Sequence, residues 1–553
     1  MSLIPFQETE KTLNYGTLRA LVVDDYPGMR SALKMTLSNF GITRIDLATS
    51  ASEVLFKVGN NDYNVILCDF NLGEGRDGQQ LLEELRHRGL IKLDTVFIMV
   101  TAESLYEKVV ATAELAPDDY MIKPFSAEIM RNRMESILLR KFAFSKVYRA
   151  YENNFLDEAL ANCDQVILEN PRYVVDALRF KGEVLNALGR FDEAEALYKQ
   201  VINMRAIPWA RLGLAKALHM QNKEEAAEEL LHDILDQTPE LVAAYDLLAD
   251  VRITKKDPEG AQAALKQGVQ ISGKTVRRQQ KLGELAVENG DLATAREAFT
   301  AVLEKGQHSV FVTPADFGNL CRVQVDQGDP AAALETLKRS KAVLQVSPEG
   351  RLVNAVVQGM AHTKAGRSEE AHRAMDEATR LRREGVRVDE RVMLDLAGTC
   401  MTHGRHEEAD AIVSEVARNA HDSETLLAKA RKLYEEAGRK DAGDQVLKEA
   451  TADVRKLNNE GVILARKGEY KAAVDKLLTA CRVAPFNPRI LMNGVWIILK
   501  YLEETGMDHD LLNEATRLLG EADKLSPGHA RIAGLRTQMK DVESRFGIRR
   551  RAP

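Results

Sequence analysis

LRALVVDDYPGMRSALKMTLSNF, residues 18–40, passes from an apolar run through two acidic residues into a segment, Gly28 to Phe40, whose apolar positions have helical spacing. A strand, a turn and a helix in that order open a strand-helix-strand unit. The alternation continues outward: IDLA (45–48), NVILC (64–68), TVFIMV (95–100) and DYMI (119–122) are short apolar runs separated by amphipathic stretches, and a last helix follows. Five strand-like runs alternating with five helices predict a five-stranded parallel, doubly wound α/β sheet over residues 17–140. In such sheets chemistry gathers at the carboxyl ends of the strands. Those ends carry Asp24 and Asp25 after the first run, Asp69 after the third, Thr101 after the fourth and Lys123 after the fifth.

The chain has 553 residues, more than one ordinary core organises, so the length predicts two to four domains or one domain plus a repeat array. Aromatic residues make up 6% and charged residues 29%, a composition that leans towards helix and away from disorder. Residues 1–140 hold 15 Lys and Arg against 20 Asp and Glu, the remainder 61 against 63, so no basic field exists to hold nucleic acid. Cys68, Cys163, Cys321, Cys400 and Cys481 are odd in number, widely spaced and without a C-x-x-C pair, which fits a reducing cytosol. Residues 1–16 lack the basic start and apolar core of a signal peptide, and apolar runs such as Val495 to Leu499 fall far short of a membrane span. A cytoplasmic protein without membrane contact is expected.

Three carboxylates, a hydroxyl and an ammonium on one sheet edge have a chemical reading. Carboxylates with a backbone carbonyl make a hard oxygen site of the kind Mg²⁺ prefers. A lone Asp there can act as a nucleophile towards phosphorus, while Lys and Thr neutralise and hydrogen-bond phosphoryl oxygens. The bland alternative, that each acid merely caps a strand or helix, fits one position well and five in order poorly.

LVVDDYPGMR, ILCDFN, VTAES and DDYMIKPF resemble the signature segments of the two-component response-regulator receiver family, closest to its chemotaxis type, over about the first quarter of the chain. The resemblance implies that Asp69 takes a phosphoryl group from a histidine kinase or phosphotransfer protein. It implies Mg²⁺ held by Asp25, Asp69 and the backbone carbonyl of Asn71, with Asp24 assisting. Lys123 would pair with the phosphoryl group and precede Pro124 through a cis bond; Thr101 would swing towards the phosphate and Tyr120 turn inward behind it. Beyond its own phosphoryl acceptance and hydrolysis, no enzymatic activity is implied. The segment between Asp69 and Gly78, FNLGEGRD, is one residue longer than the family's usual loop and lacks its common proline. Asn71 and Glu103 match the chemotaxis pattern of quick self-hydrolysis, so a short-lived phosphoryl group is expected.

From Lys141 the strand pattern stops, and residues 141–545 repeat a motif of the form Gly-x-x-x-x-small. It starts at Gly189, Gly290, Gly328, Gly366, Gly404, Gly438 and Gly468, with degenerate copies at Asn154, Gln221 and Lys256; successive starts differ by 35, 32, 35, 34, 38, 38, 38, 34 and 30 residues. Gly would end a first helix in a left-handed cap and the small residue would let a second helix approach closely. GRFDEAEALYKQVI and KGEYKAAVDKLLTACRVAPFNP resemble the tetratricopeptide consensus, implying an all-α superhelical array of about ten units that binds a target protein in its groove. The 38-residue spacings predict longer helices or turns. Asn186, Asn354 and Asn493 fall on first helices, where a solvated polar face is the plain reading and a peptide-carboxylate clamp the sharper one.

GVQISGKT (268–275) satisfies a P-loop pattern, but the preceding PEGAQAALKQGVQI is helix-periodic, so nucleotide binding is not expected. His403 and His406 flank a repeat turn without a third partner and read as exposed turn histidines; residues 546–553 form a basic tail. The expected function is a phosphorylation-regulated interaction protein, transmitted through a nearly unbroken helix from Ser126 to Tyr151. The alternative is a phosphoryl sink or constitutive scaffold with no gated output. Self-association into a homodimer is compatible with both.

Overall fold

The computed structural model describes residues 13–73, 75–102, 117–204, 207–273, 275–526 and 529–547, in two compact units, Met1–Val312 and Thr313–Pro553. In the first unit, β1 (Arg19–Val23), β2 (Arg44–Ala48), β3 (Val65–Asp69), β4 (Val96–Thr101) and β5 (Asp119–Ile122) form one parallel sheet in the order β2-β1-β3-β4-β5. Both faces are covered. Ala20, Val22, Val65 and Leu67 point into one core with Leu33 and Leu37 of α1 (Pro27–Asn39) and Met130, Met134 and Leu138 of the helix Ala127–Ala143. Leu21, Val23, Ile66 and Cys68 point into the other, with Val54 of α2 (Ala51–Val58) and Leu81, Leu82 and Leu85 of α3 (Gly78–His87). This is why β1, β3 and β4 read as continuous apolar runs: a parallel strand buried on both sides has no polar face, whereas the edge strand β2 exposes Arg44.

The helix expected from Ser126 to Tyr151 starts with Ser126 as N-cap but breaks at Phe144, between Ala127–Ala143 and Ser145–Glu152. The break is packed rather than loose. Phe144 is 2% exposed in a cluster with Val147, Cys163, Val166 and Ala177, and it stacks on Tyr148 at 5.7 Å. Lys141, near the break, pairs with Asp118 at 2.8 Å and donates to the Leu93 carbonyl at 2.6 Å.

Paired helices follow from Leu156–Glu169 to Leu292–Lys305 in the first unit and from Pro314–Asp326 to Ala530–Arg545 in the second. The turns between partners adopt positive φ at Asn154, Asn222, Lys256, Gly189, Gly290, Gly328, Gly366, Gly404, Gly438 and Gly468. One motif start is corrected: the left-handed residue is Asn222, not Gln221, and the buried small residue is therefore Ala227 rather than Ala226. Asn tolerates this conformation better than Gln because its short side chain bonds locally. The pairs pack closely. A Cβ on either Gly182 or Gly213 would come within 2.5 Å of the Tyr198 ring system, so the two glycines make the slot that this buried ring fills.

In the second unit the 38-residue spacings accommodate the extra turn Lys341–Leu344 and the long helices Pro348–Lys364 and Ser368–Arg383. The 30-residue spacing has the opposite cause: the second helix of one pair and the first of the next fuse into a single 27-residue helix, Lys440–Arg466. Two further expectations are corrected. His403 is half-buried, bonded to Thr363 at 2.8 Å and packed edge-on against His372, while His406 is exposed. Asn493 is not solvated: at 8% exposed it donates to Asn458 at 2.7 Å and accepts from Arg531 at 2.7 Å. Gly268 of the P-loop-like stretch lies inside the helix Pro258–Ile271, with no strand before it; Lys274 lies outside the described residues. Among the described residues no helix is long and apolar enough to cross a membrane.

Candidate functional site

Strand register assembles the site. Val23 pairs with Cys68, so the next residues along each strand, Asp24 and Asp69, meet at the carboxyl edge. Thr101 pairs with Ile122, which sets Lys123 one step further along the same edge. The sheet order reverses direction between β1 and β3, and the crevice at such a switch point is where open α/β sheets bind ligands.

Asp24, Asp25 and Asp69 offer carboxylate oxygens that all lie within 4.8 Å of one another. Lys123 Nζ donates to Oδ2 of Asp24 and to Oδ2 of Asp69, both at 3.0 Å. Asp24 is 1% exposed and Asp25 faces solvent, so the cluster has a buried floor and an open rim. Burial pushes the Asp69 carboxyl above its usual range, the Asp24 charge adds to this, and the Lys123 ammonium opposes it. Burial alone would lower the Lys123 ammonium, but its bonds to the two carboxylates raise it above its ordinary value. Cys68, fully buried beside Asp69, is pushed far up by burial and is no thiolate.

Thr101 ends β4 and is 3% exposed, and the Lys123 N–H donates to its carbonyl at 2.7 Å. The Lys123–Pro124 bond is cis. Tyr120 is half-buried against the core that contains Phe97 and Met99. Asn71 follows β3 and its side chain accepts from the Gly73 N–H at 3.2 Å, while a Cβ on Gly73 would meet Asp25 Oδ2 at 3.4 Å. The loop therefore lies directly against the acids. Glu103 lies outside the described residues.

A clustered set of hard oxygen donors with one adjacent ammonium suits a small divalent cation and a phosphoryl group together. Sequence reading missed Arg30, whose Nη1 donates to the Asp24 carbonyl at 2.6 Å and fixes the turn that presents both acids. Its signal was present, one helical turn into α1, but a first-turn arginine reads equally as a solvated cation.

Residues 20–135 match the response regulator receiver domain family, and residues 144–209, 208–233 and 318–339 match tetratricopeptide repeats. Over 123 residues the chain is 28% identical to the chemotaxis protein CheY of Pseudomonas aeruginosa, an alignment covering 22% of this chain and 98% of that protein. It is 30% identical over 142 residues to the regulatory protein VanRB of Enterococcus faecalis, covering 26% of this chain and 62% of that protein. Among solved structures, a Francisella response regulator receiver domain is 29% identical, covering 23% of this chain and 98% of that one, with a TM-score of 0.20. A tetratricopeptide repeat protein from Parabacteroides merdae is 14% identical, covering 47% of this chain and 98% of that one, with a TM-score of 0.29. With the sheet topology and the acid cluster, the family matches and the CheY likeness place a CheY-like response regulator receiver domain at residues 20–135, followed by tetratricopeptide repeats.

Proposed function

We propose that the protein is a cytoplasmic phosphorylation-regulated adaptor in which Asp69 accepts a phosphoryl group and the helical array delivers the output by binding a target protein. The observation that carries this reading is the Lys123 ammonium 3.0 Å from both Asp24 and Asp69 at the switch point of the sheet. In the transfer, an Asp69 carboxylate oxygen attacks the phosphorus of a phosphohistidine on a kinase or phosphotransfer protein. The P–N bond breaks, the imidazole leaves and takes up a proton, and an acyl phosphate forms. Reversal to the resting state is hydrolysis: water adds to phosphorus, the P–O bond to Asp69 breaks and inorganic phosphate departs.

Asp24, Asp25, Asp69 and the Asn71 carbonyl would hold Mg²⁺, which supplies charge neutralisation for the transferring group. Lys123 holds a phosphoryl oxygen in the place its carboxylate partners now occupy, and the Thr101 hydroxyl donates to another. Tyr120, paired with Met99 two residues before Thr101 on the neighbouring strand, would turn inward as Thr101 moves towards the phosphate. The packed joint at Phe144, with Lys141 tied to Asp118 and the Leu93 carbonyl, supports coupling of the receiver to the first repeat without slack. The boundary between domains falls at this joint, near residue 140.

The test is incubation with acetyl phosphate and Mg²⁺ followed by intact mass measurement. One hydroxylamine-sensitive phosphoryl increment on the wild type, absent from Asp69→Asn, is expected. An unlabelled wild type, or a label that persists in Asp69→Asn, would overturn the assignment.

A further inference from the structure

The loop from Phe70 to Asp77 does more than skirt the acid cluster. Its start is fixed by the Phe70 N–H on the Val100 carbonyl at 2.9 Å, and its end by the Asp77–Gln80 capping box that opens α3. Between these anchors Arg76 reaches out of the receiver: its Nε donates to the backbone carbonyl of His308 at 3.0 Å, in the segment that follows the helix Leu292–Lys305. The same guanidinium pairs at 2.9 Å with Glu84 of α3, a fully buried carboxylate that also meets Arg88 at 3.0 Å.

A second contact lies alongside. His87, the last residue of α3, packs edge-on against Phe311 with centroids 5.0 Å apart, and Arg277 lies over the same ring at 4.1 Å. Gln280 donates to the Phe311 carbonyl at 2.9 Å, so this residue is held by the array through its backbone and its ring as well as by the receiver. A cleft of about 490 Å³ separates Glu83 and Arg86 of α3 from Thr275 and Val276.

Among the described residues the receiver thus meets the repeats around the joint at Phe144 and again through this contact, which joins residues 232 apart in sequence. The second contact starts from the loop that carries Asn71 and Gly73 against the acids. Arg76 is five residues beyond Asn71, a span of at most about 17 Å, so the acid cluster and the array contact lie at the two ends of one short segment.

We propose that this loop is the array-facing sensor of Asp69. Loading Asp69 draws the Asn71 end towards the carboxylates, withdraws Arg76 from the His308 carbonyl, and frees the segment Gly306–Val312 from α3. This rests on the receiver reading above. Because coupling between two sites is reciprocal, a contact broken by loading must also resist loading.

The experiment uses the full chain, with beryllofluoride and Mg²⁺ as a stable acyl-phosphate mimic, read by hydrogen exchange. In the wild type, beryllofluoride should raise exchange in peptides covering Gly306–Val312. Arg76→Ala should show the raised exchange without it and bind beryllofluoride about 5-fold more tightly. Phe311→Ala, which leaves Arg76 and Glu84 intact, should shift in the same direction from the array side. Unchanged exchange at Gly306–Val312, or unchanged or weaker beryllofluoride binding in both variants, overturns the sensor while the receiver reading stands, provided the wild type still binds in an Asp69-dependent way. No Asp69-dependent binding by the wild type overturns both.

Discussion

Lys123→Met removes one charge and keeps the apolar stem, leaving Asp24, Asp25 and Asp69 with oxygens within 4.8 Å and without the ammonium that bridges two of them at 3.0 Å. Removing one partner from a buried ion pair costs about 3–5 kcal/mol. The Asp24 side chain is 1% exposed and that of Asp69 14%, while Asp25 faces solvent, so the lower end, about 3 kcal/mol, applies here. Mg²⁺ at a hundredfold excess over its dissociation constant returns about 2.7 kcal/mol. Three carboxylates stripped of their cation also attract it more strongly than three that are partly neutralised. The variant's receiver should therefore be destabilised in EDTA and largely restored by Mg²⁺, with a larger Mg²⁺ response than the wild type. Trp209 and Trp496 both lie in the array, so tryptophan fluorescence does not report this region. Hydrogen exchange on peptides covering β1, β3 and β5 does. Exchange equal to the wild type in EDTA, or unaffected by Mg²⁺, would refute the electrostatic account of the site.

The array should lose stability in acid, because Glu195, bonded by Lys199 and Lys223, and Glu228, bonded by Lys255 and Arg252, are both pulled down to about 2. A depressed carboxyl contributes above its ordinary value of 4.5 and loses that contribution as pH falls towards about 2, so Glu195→Gln with Glu228→Gln should flatten the circular-dichroism acid transition in that window. Asp246→Ala strips the bidentate partner, at 2.7 and 2.6 Å, from an Arg278 side chain only 2% exposed; it should cost about 3 kcal/mol in urea unfolding, and a loss below about 1 kcal/mol would contradict that. Lys256→Gly relieves a left-handed residue at φ 61° and should gain up to about 1 kcal/mol, whereas Gly404→Ala at φ 71° should lose about 1 kcal/mol, both read as shifts in urea midpoint.

The sheet was legible because its central strands β1, β3 and β4 are buried on both faces and polar residues stand at the strands' carboxyl ends, so apolar runs and their punctuation carried the topology. The repeat turns were legible wherever Gly marked a left-handed cap. They were blurred at Asn222, where a non-glycine took that conformation and the period alone could not fix the position within one residue. The fused helix Lys440–Arg466 was not foreseen: packing along both halves overrode the polar Lys456–Glu460 stretch, which reads locally like a turn. At the candidate site, side-chain type and order suggested Asp24, Asp25, Asp69, Thr101 and Lys123, but the double bridge by Lys123 is a three-dimensional fact with no sequence signature. Arg76 was hidden for the same reason, since its partner is a backbone carbonyl distant in the chain.

The most direct test of the central claim is a pull-down from native lysate with three baits: the wild type, the wild type with beryllofluoride and Mg²⁺, and Asp69→Ala with the same additions, read by mass spectrometry. A phosphorylation-regulated adaptor predicts a captured protein whose abundance changes with beryllofluoride only when Asp69 is present. The same captured set with all three baits would contradict gating and leave a constitutive scaffold or a phosphoryl sink.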